Sequence, residues 1–111
     1  MKHVSILVPY DAVAAAIVDP RYMFSAVNQF LAEAGEDPAF EIQLVGLTQQ
    51  VPLNNGAFAV NTDVLCSDLH KTDLVIIPAL TGDMKTALDL NAEIKPWIIA
   101  QYNNGAEVAS L

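Results

Sequence analysis

Side chains that could do chemistry are sparse in this sequence. Its one cysteine, Cys66, lies in "VLCSDLH", with His70 four positions on. On a helix that spacing puts a thiol and an imidazole on one face, but two ligands without a third do not make a metal site. A single cysteine also excludes an intrachain disulfide and any zinc centre built from several thiolates. The stretch precedes the apolar run "LVIIP", away from the strand ends where open α/β sheets place their sites. Cys66 is therefore read as a small buried hydrophobe, and neither a metal nor a cofactor is expected.

Asp11 and Asp19 come just after the first apolar run and so fall near the carboxyl edge of a sheet. Asp19 precedes Pro20, pairing an N-cap oxygen with a ring preset for the first helical position, and is assigned to capping. Asp11 is open to two roles, a solvated loop residue or a ligand contact. Tyr22 either lines a pocket or sits on the polar side of its helix, orientations that lie within one helical turn of each other. His3 opens a strand with no evident partner and reads as a surface residue, while Trp97 and Tyr102 follow an apolar stripe and read as packing.

The elements that must position these residues follow from periodicity. "HVSILVP" (3–9) is a nearly continuous apolar run rich in branched side chains, as in a parallel strand covered on both faces. A helix is predicted from Asp19–Pro20 to about Ala34. Met23, Phe24, Val27, Phe30, Leu31 and Ala34 form its apolar stripe, and Gly35 follows where a left-handed residue is wanted. "FEIQLVGL" reads as a strand, and "VPLNNGAFAV" as a hairpin turning at Asn55–Gly56, a small excursion off the main sheet.

"TDLVIIPAL" (72–80) is the clearest buried strand, closed by Pro78. After the loop "TGD" come Met84, Ala87 and Leu88 at helical spacing. Asn91 then serves as cap for a stretch in which Ile94, Trp97, Ile98 and Tyr102 share a face, with Pro96 in or just after its first turn. Gly105 ends that helix, and "EVASL" reads as a further buried strand. The alternation of strands and helices predicts one α/β domain over residues 1–111, a parallel sheet with helices on both faces.

Composition narrows the function classes. Of 111 residues 53% are hydrophobic and only 16% charged, which excludes disorder. Thirteen acidic residues against five basic ones give a net charge of −8, with no basic cluster, so neither a phosphate backbone nor an anionic membrane surface is an expected partner. The opening "MKHVSILVPYDAVAAAIV" imitates a signal peptide, but Pro9 and Asp11 break its apolar core after about half the needed length. No apolar run approaches the roughly 18 residues of a membrane helix. A reducing, cytoplasmic setting is expected.

Taken in order and spacing, "HVSILVPYDAV", "DPRYMFSAVNQFLAEAG", "FEIQLVGLT", "TDLVIIPALTGD" and "PWIIAQYNNGAEVASL" resemble the amino-terminal part of the ThiJ/PfpI group of class I glutamine-amidotransferase-like domains. The branch most resembled is the one fused to AraC-type transcription regulators. The resemblance implies a three-layer, flavodoxin-like α/β fold in which a strand matching "EVASL" lies near the middle of the sheet and leads into a nucleophile elbow. On that expectation Leu111 sits where the elbow would begin, making this a fragment, a split domain or a boundary.

The resemblance also implies that the place of the family's acidic helix residue, which contacts the elbow cysteine in active members, is held by Tyr22. The loop around Gly82 matches one whose amides face the family pocket, so an anion-binding edge is expected there without chemistry. Three readings follow. The first is a non-catalytic ligand-sensing or dimer-forming domain of an AraC-type regulator, its ligand near Asp11, Tyr22 and Gly82, with DNA contact left to a helix-turn-helix module outside these residues. The second is a cysteine-dependent hydrolase, amidase or hydratase whose nucleophile lies beyond Leu111. The third is a split protein completed by a carboxyl-terminal fragment. The apolar surface left open in each case favours a homodimer or a complementing fragment.

Overall fold

A computed structural model describes residues 1–111. Seven strands and three α-helices follow one another as β1 (Lys2–Leu7), α1 (Ala15–Glu33), β2 (Phe40–Gly46), β3 (Gln50–Leu53), β4 (Phe58–Asn61), β5 (Val64–Leu65), β6 (Leu74–Ile77), α2 (Met84–Leu90), α3 (Ile94–Asn103) and β7 (Glu107–Ser110). A 3-10 turn, Cys66–Asp68, follows β5. Five strands form a sheet in the order β5-β2-β1-β6-β7, every pair parallel, and β3 with β4 forms a separate antiparallel ribbon. The molecule is thus a three-layer, flavodoxin-like α/β fold.

The two faces of the sheet carry separate cores. Val4, Ile6 and Val8 from β1 and its end, with Leu44 and Ile76, pack against Ile17 of α1 and against Val51 and Leu53 of the ribbon. Leu7, Val45 and Val75 point the other way, onto Cys66, Ile94 and Ala106, with Trp97 and Ile98 of α3 alongside. This is the alternation a strand enforces, and it explains why a doubly covered strand such as "HVSILV" reads as an unbroken apolar run. On the α3 side, the Trp97 indole N–H donates to Leu69 O at 2.8 Å, which ties the helix to the approach to β6.

Several sequence expectations change in detail. α1 begins at Ala15 with Ala14 as its N-cap, so Asp19 lies inside the helix and caps nothing, and Pro20 lies inside it as well. The reason is local: Ala14 to Ala16 are strong helix formers, and the helix start is carried by backbone bonds such as Ile17 N to Ala14 O. Pro20 forgoes one backbone bond, but it lies on the buried side of the helix with Ile17.

The apolar stripe also rotates. Ile17, Pro20, Phe24 and Leu31 turn inward, while Met23 and Phe30, 66% and 68% exposed, face outward. Both sets satisfy helical spacing, and contact with the sheet selects one of them. Asn28 fixes the choice by donating to Phe40 O at 2.7 Å and accepting from the amides of Ala39 and Phe40, beside an edge-to-face Phe24–Phe40 pair. The helix closes as expected, with Gly35 left-handed and Glu36 N bonding back to Leu31 O.

The strand β5 was not among the predicted elements, being only two residues long. β7 pairs with β6 as a parallel strand, as expected, and among these five strands its other flank is open, with Val108 37% exposed. Asn91 ends α2 and does not cap α3, which starts at Ile94 after Glu93, with Pro96 in its first turn as predicted. Gly46 permits the close return of the ribbon: a Cβ there would lie 2.7 Å from Thr62 Cγ2 and 3.2 Å from Thr48 O.

Candidate functional site

The carboxyl ends of β1 and β6 are joined above the sheet by their own loops. Thr81 N donates to Asp11 O at 2.7 Å, Val13 N donates to Ala79 O at 2.8 Å, and Ala12 bridges Leu80 in an antiparallel sense. The Thr81 hydroxyl adds a second bond to Asp11 O, at 3.1 Å. Asp11 adopts φ of 61°, a left-handed conformation that Asp tolerates better than most residues, so the chain turns sharply at the strand end and its side chain is held outside the ladder.

Beneath this clamp lies Asn91, buried and far away in sequence. Its Oδ1 accepts from Tyr10 N at 2.7 Å, and its Nδ2 donates to Tyr10 O and to Ala87 O, each at 2.8 Å. One side chain therefore satisfies both backbone groups of Tyr10 and the end of α2, and it is the main positioning residue that sequence reasoning missed. Locally it shows only a capping signal, since nothing in "LDLN" announces a partner 81 positions away.

The ribbon supplies the remaining wall. Its turn places Asn54, Asn55 and Gly56 all in left-handed conformations, at φ of 53°, 54° and 82°. The turn thus starts one residue earlier than the Asn–Gly pair suggested, within the loop between Leu53 and Phe58. Asp11, Ala12, Val13, Ala14, Asn54, Asn55, Phe58, Thr81 and Gly82 enclose an open cleft of about 570 Å³. Asp11 and Gly82, both singled out from the sequence, are brought together there. Tyr22 is not: it is 72% exposed and borders a neighbouring groove with Val18, Arg21, Ala59 and Val60.

The electrostatics of the cleft are simple. The Asp11 carboxylate makes no hydrogen bond or close charge contact within the chain, whose one such contact joins the His3 imidazole and Glu41 at the opposite end. Next to Gly82, Asp83 caps α2 by accepting from Thr86 Oγ1 at 2.8 Å and Thr86 N at 3.0 Å. These bonds, the hydroxyl's first, hold its carboxyl below the usual range. No cysteine, histidine or lysine lines the cleft.

The residues with intrinsic reactivity sit elsewhere. Cys66 is buried in the core under α3, and burial pushes its thiol up to about 11, outweighing an opposing backbone hydrogen bond, so it is a neutral thiol at physiological pH. His70 lies beyond the 3-10 turn, and no group of three or more His, Cys, Asp or Glu side chains is placed to hold a metal. His3 does have partners: its Nδ1 lies 3.1 Å from Glu41 Oε2, and its backbone N–H donates to Asp73. No helix is long and apolar enough to cross a membrane.

No family model matches the sequence, and no curated protein does either. Solved structures do match. A protein assigned as a transcriptional regulator in Vibrio parahaemolyticus superposes with a TM-score of 0.77 at 19% identity, over 98% of this chain and 55% of its own. A ThiJ/PfpI family protein from Pseudomonas syringae gives 0.75 at 15% identity, over 98% and 41%. An AraC family transcriptional regulator from Pseudomonas putida gives 0.66 at 13% identity, over 99% and 55%. The chain has the fold of the DJ-1/ThiJ/PfpI proteins, and it spans about half the length of the structures it matches.

Proposed function

We propose that the chain is a non-catalytic, ligand-sensing domain of a transcription regulator, of the AraC type, and that its ligand occupies the cleft at the carboxyl ends of β1 and β6. One observation carries this: the chain has a formed cleft at the place where open α/β sheets bind ligands, and Tyr22, at the position where active members of the resembled family carry an acidic residue, offers no carboxylate to tune a thiol there. The single thiol is buried in the core under α3 and protonated. Regulators among the structures of the same fold support the assignment of role. With a net charge of −8 the domain is suited to sensing or association, and DNA contact falls to another module.

The free edge of β7 and the outward apolar residues of α1 favour association, either with a second copy or with a complementing carboxyl-terminal fragment. Sedimentation is expected to show a dimer or a co-purified second chain, and a monomer persisting at high concentration would reject it.

The sensing role is tested by titrating a mixed metabolite extract into isotope-labelled protein. Shifts are expected at the amides of 11–14, 54–58 and 81–82, and shifts confined to other surfaces would overturn the site. Assays of the full-length protein for hydrolase, amidase or hydratase turnover are expected to be blank. Turnover abolished by thiol alkylation would establish the enzymatic reading instead.

A further inference from the structure

We propose that the cleft selects a small organic cation carrying N–H donors, an amine or guanidine, over an anion. This rests on the sensing role given to the cleft and adds the chemistry of its ligand. The chain has five basic residues, and none of them lines the cleft, where Asp11 is the only acidic or basic side chain. An anion entering beside Gly82 would meet that carboxylate with no countercharge. The feature that would favour an anion, the start of α2, already accommodates the Asp83 carboxylate, bonded to Thr86.

The other lining groups fit a donor-rich cation. The side-chain amides of Asn54 and Asn55 offer carbonyl acceptors, and the Phe58 ring stands 55% exposed at the wall, a face onto which a cationic group can pack. One carboxylate and two amides do not make a site for a bare metal ion, and no metal-holding cluster exists in the chain. The volume of about 570 Å³ suits an organic molecule.

Matched probes separate the charge from the site. Butylguanidinium, butylammonium, 1-butanol and butyrate are titrated at equal ionic strength into the isotope-labelled chain, following the amides of Ala12, Asn55 and Gly82. The two cations are expected to shift these amides, with butylguanidinium bound at least about threefold more tightly than butyrate. The preference is expected to vanish in Asp11→Asn, a residue that also tolerates the left-handed backbone. Asp11→Gly serves as a second variant should the first fold poorly. Equal or stronger shifts from butyrate at the same amides would overturn the charge selectivity while leaving the cleft as the site. Silence of these amides with every probe would overturn both.

Discussion

At the amino edge of the sheet the polar side chains are used up inside the fold, whereas at the carboxyl edge several are left over. Ser5 donates to Thr72 at 2.8 Å, Thr72 donates to His3 O at 3.1 Å, and Asp73 accepts from His3 N at 2.8 Å. The Asp73 carboxyl is held below its usual range, chiefly by that backbone bond, which outweighs an opposing effect of desolvation, with the nearby charges of Lys2, His3 and Lys71 adding to it. At the other edge, Asn91 and the Asp11–Thr81 clamp fix the backbone, while the Asp11 carboxylate keeps no partner. Both edges are rigidly tied. At the amino edge the one unpartnered buried atom, Gln101 Oε1, is shut inside the fold beside His70. At the carboxyl edge the free Asp11 carboxylate faces an open cleft, and binding sites need unspent polar groups that a ligand can reach.

The strongest way to break this contrast is to remove the tie at the open edge. Asn91→Ala leaves both backbone groups of Tyr10 without their partner and is expected to cost about 3 kcal/mol in urea unfolding, with loss of probe binding in the cleft. A cost under about 1 kcal/mol would show that the cleft is not held from below. Gly46→Ala attacks the ribbon wall: the new Cβ meets Thr62 and the backbone of Thr48, and roughly 1–3 kcal/mol should be lost in the same assay.

Cys66 tests whether reactivity is absent as well as misplaced. With its thiol near 11, iodoacetamide at neutral pH should modify the folded chain more than about a hundredfold more slowly than the unfolded chain. Fast labelling in the folded state would contradict the burial.

The closed edge should announce itself in acid. The Asp73 pKa is lower in the folded state than in the unfolded one, so its contribution is present above the unfolded value of about 3.9 and is lost as pH falls through the folded value. Asp73→Asn is expected to flatten the acid limb of the stability profile, and an unchanged limb would remove the distinction. The smallest effect on stability belongs to Phe58→Ala, at most about 0.5 kcal/mol for so exposed a ring, yet butylguanidinium should bind more weakly.

Much of this was legible in the chain because it is encoded locally. The runs at β1, β2 and β6, the left-handed Gly35 and the polar turn of the ribbon each carry their signal within a few residues. The start of α1 was misplaced because Asp19–Pro20 imitates a cap, and the outward turn of Met23 and Phe30 was hidden because two neighbouring stripes share one periodicity. β5 is too short to show a period at all.

By itself, then, the sequence determined an acidic α/β domain, its order of strands and helices, and the absence of clustered thiols or cations, since composition and short-range periodicity suffice for these. Tertiary structure alone decided that Asp11 and Gly82 share a cleft while Tyr22 borders another, that Asn91 holds Tyr10, and that Cys66 is shut in the core. Those relations join residues tens of positions apart, and only the closing of the sheet brings them within bonding distance.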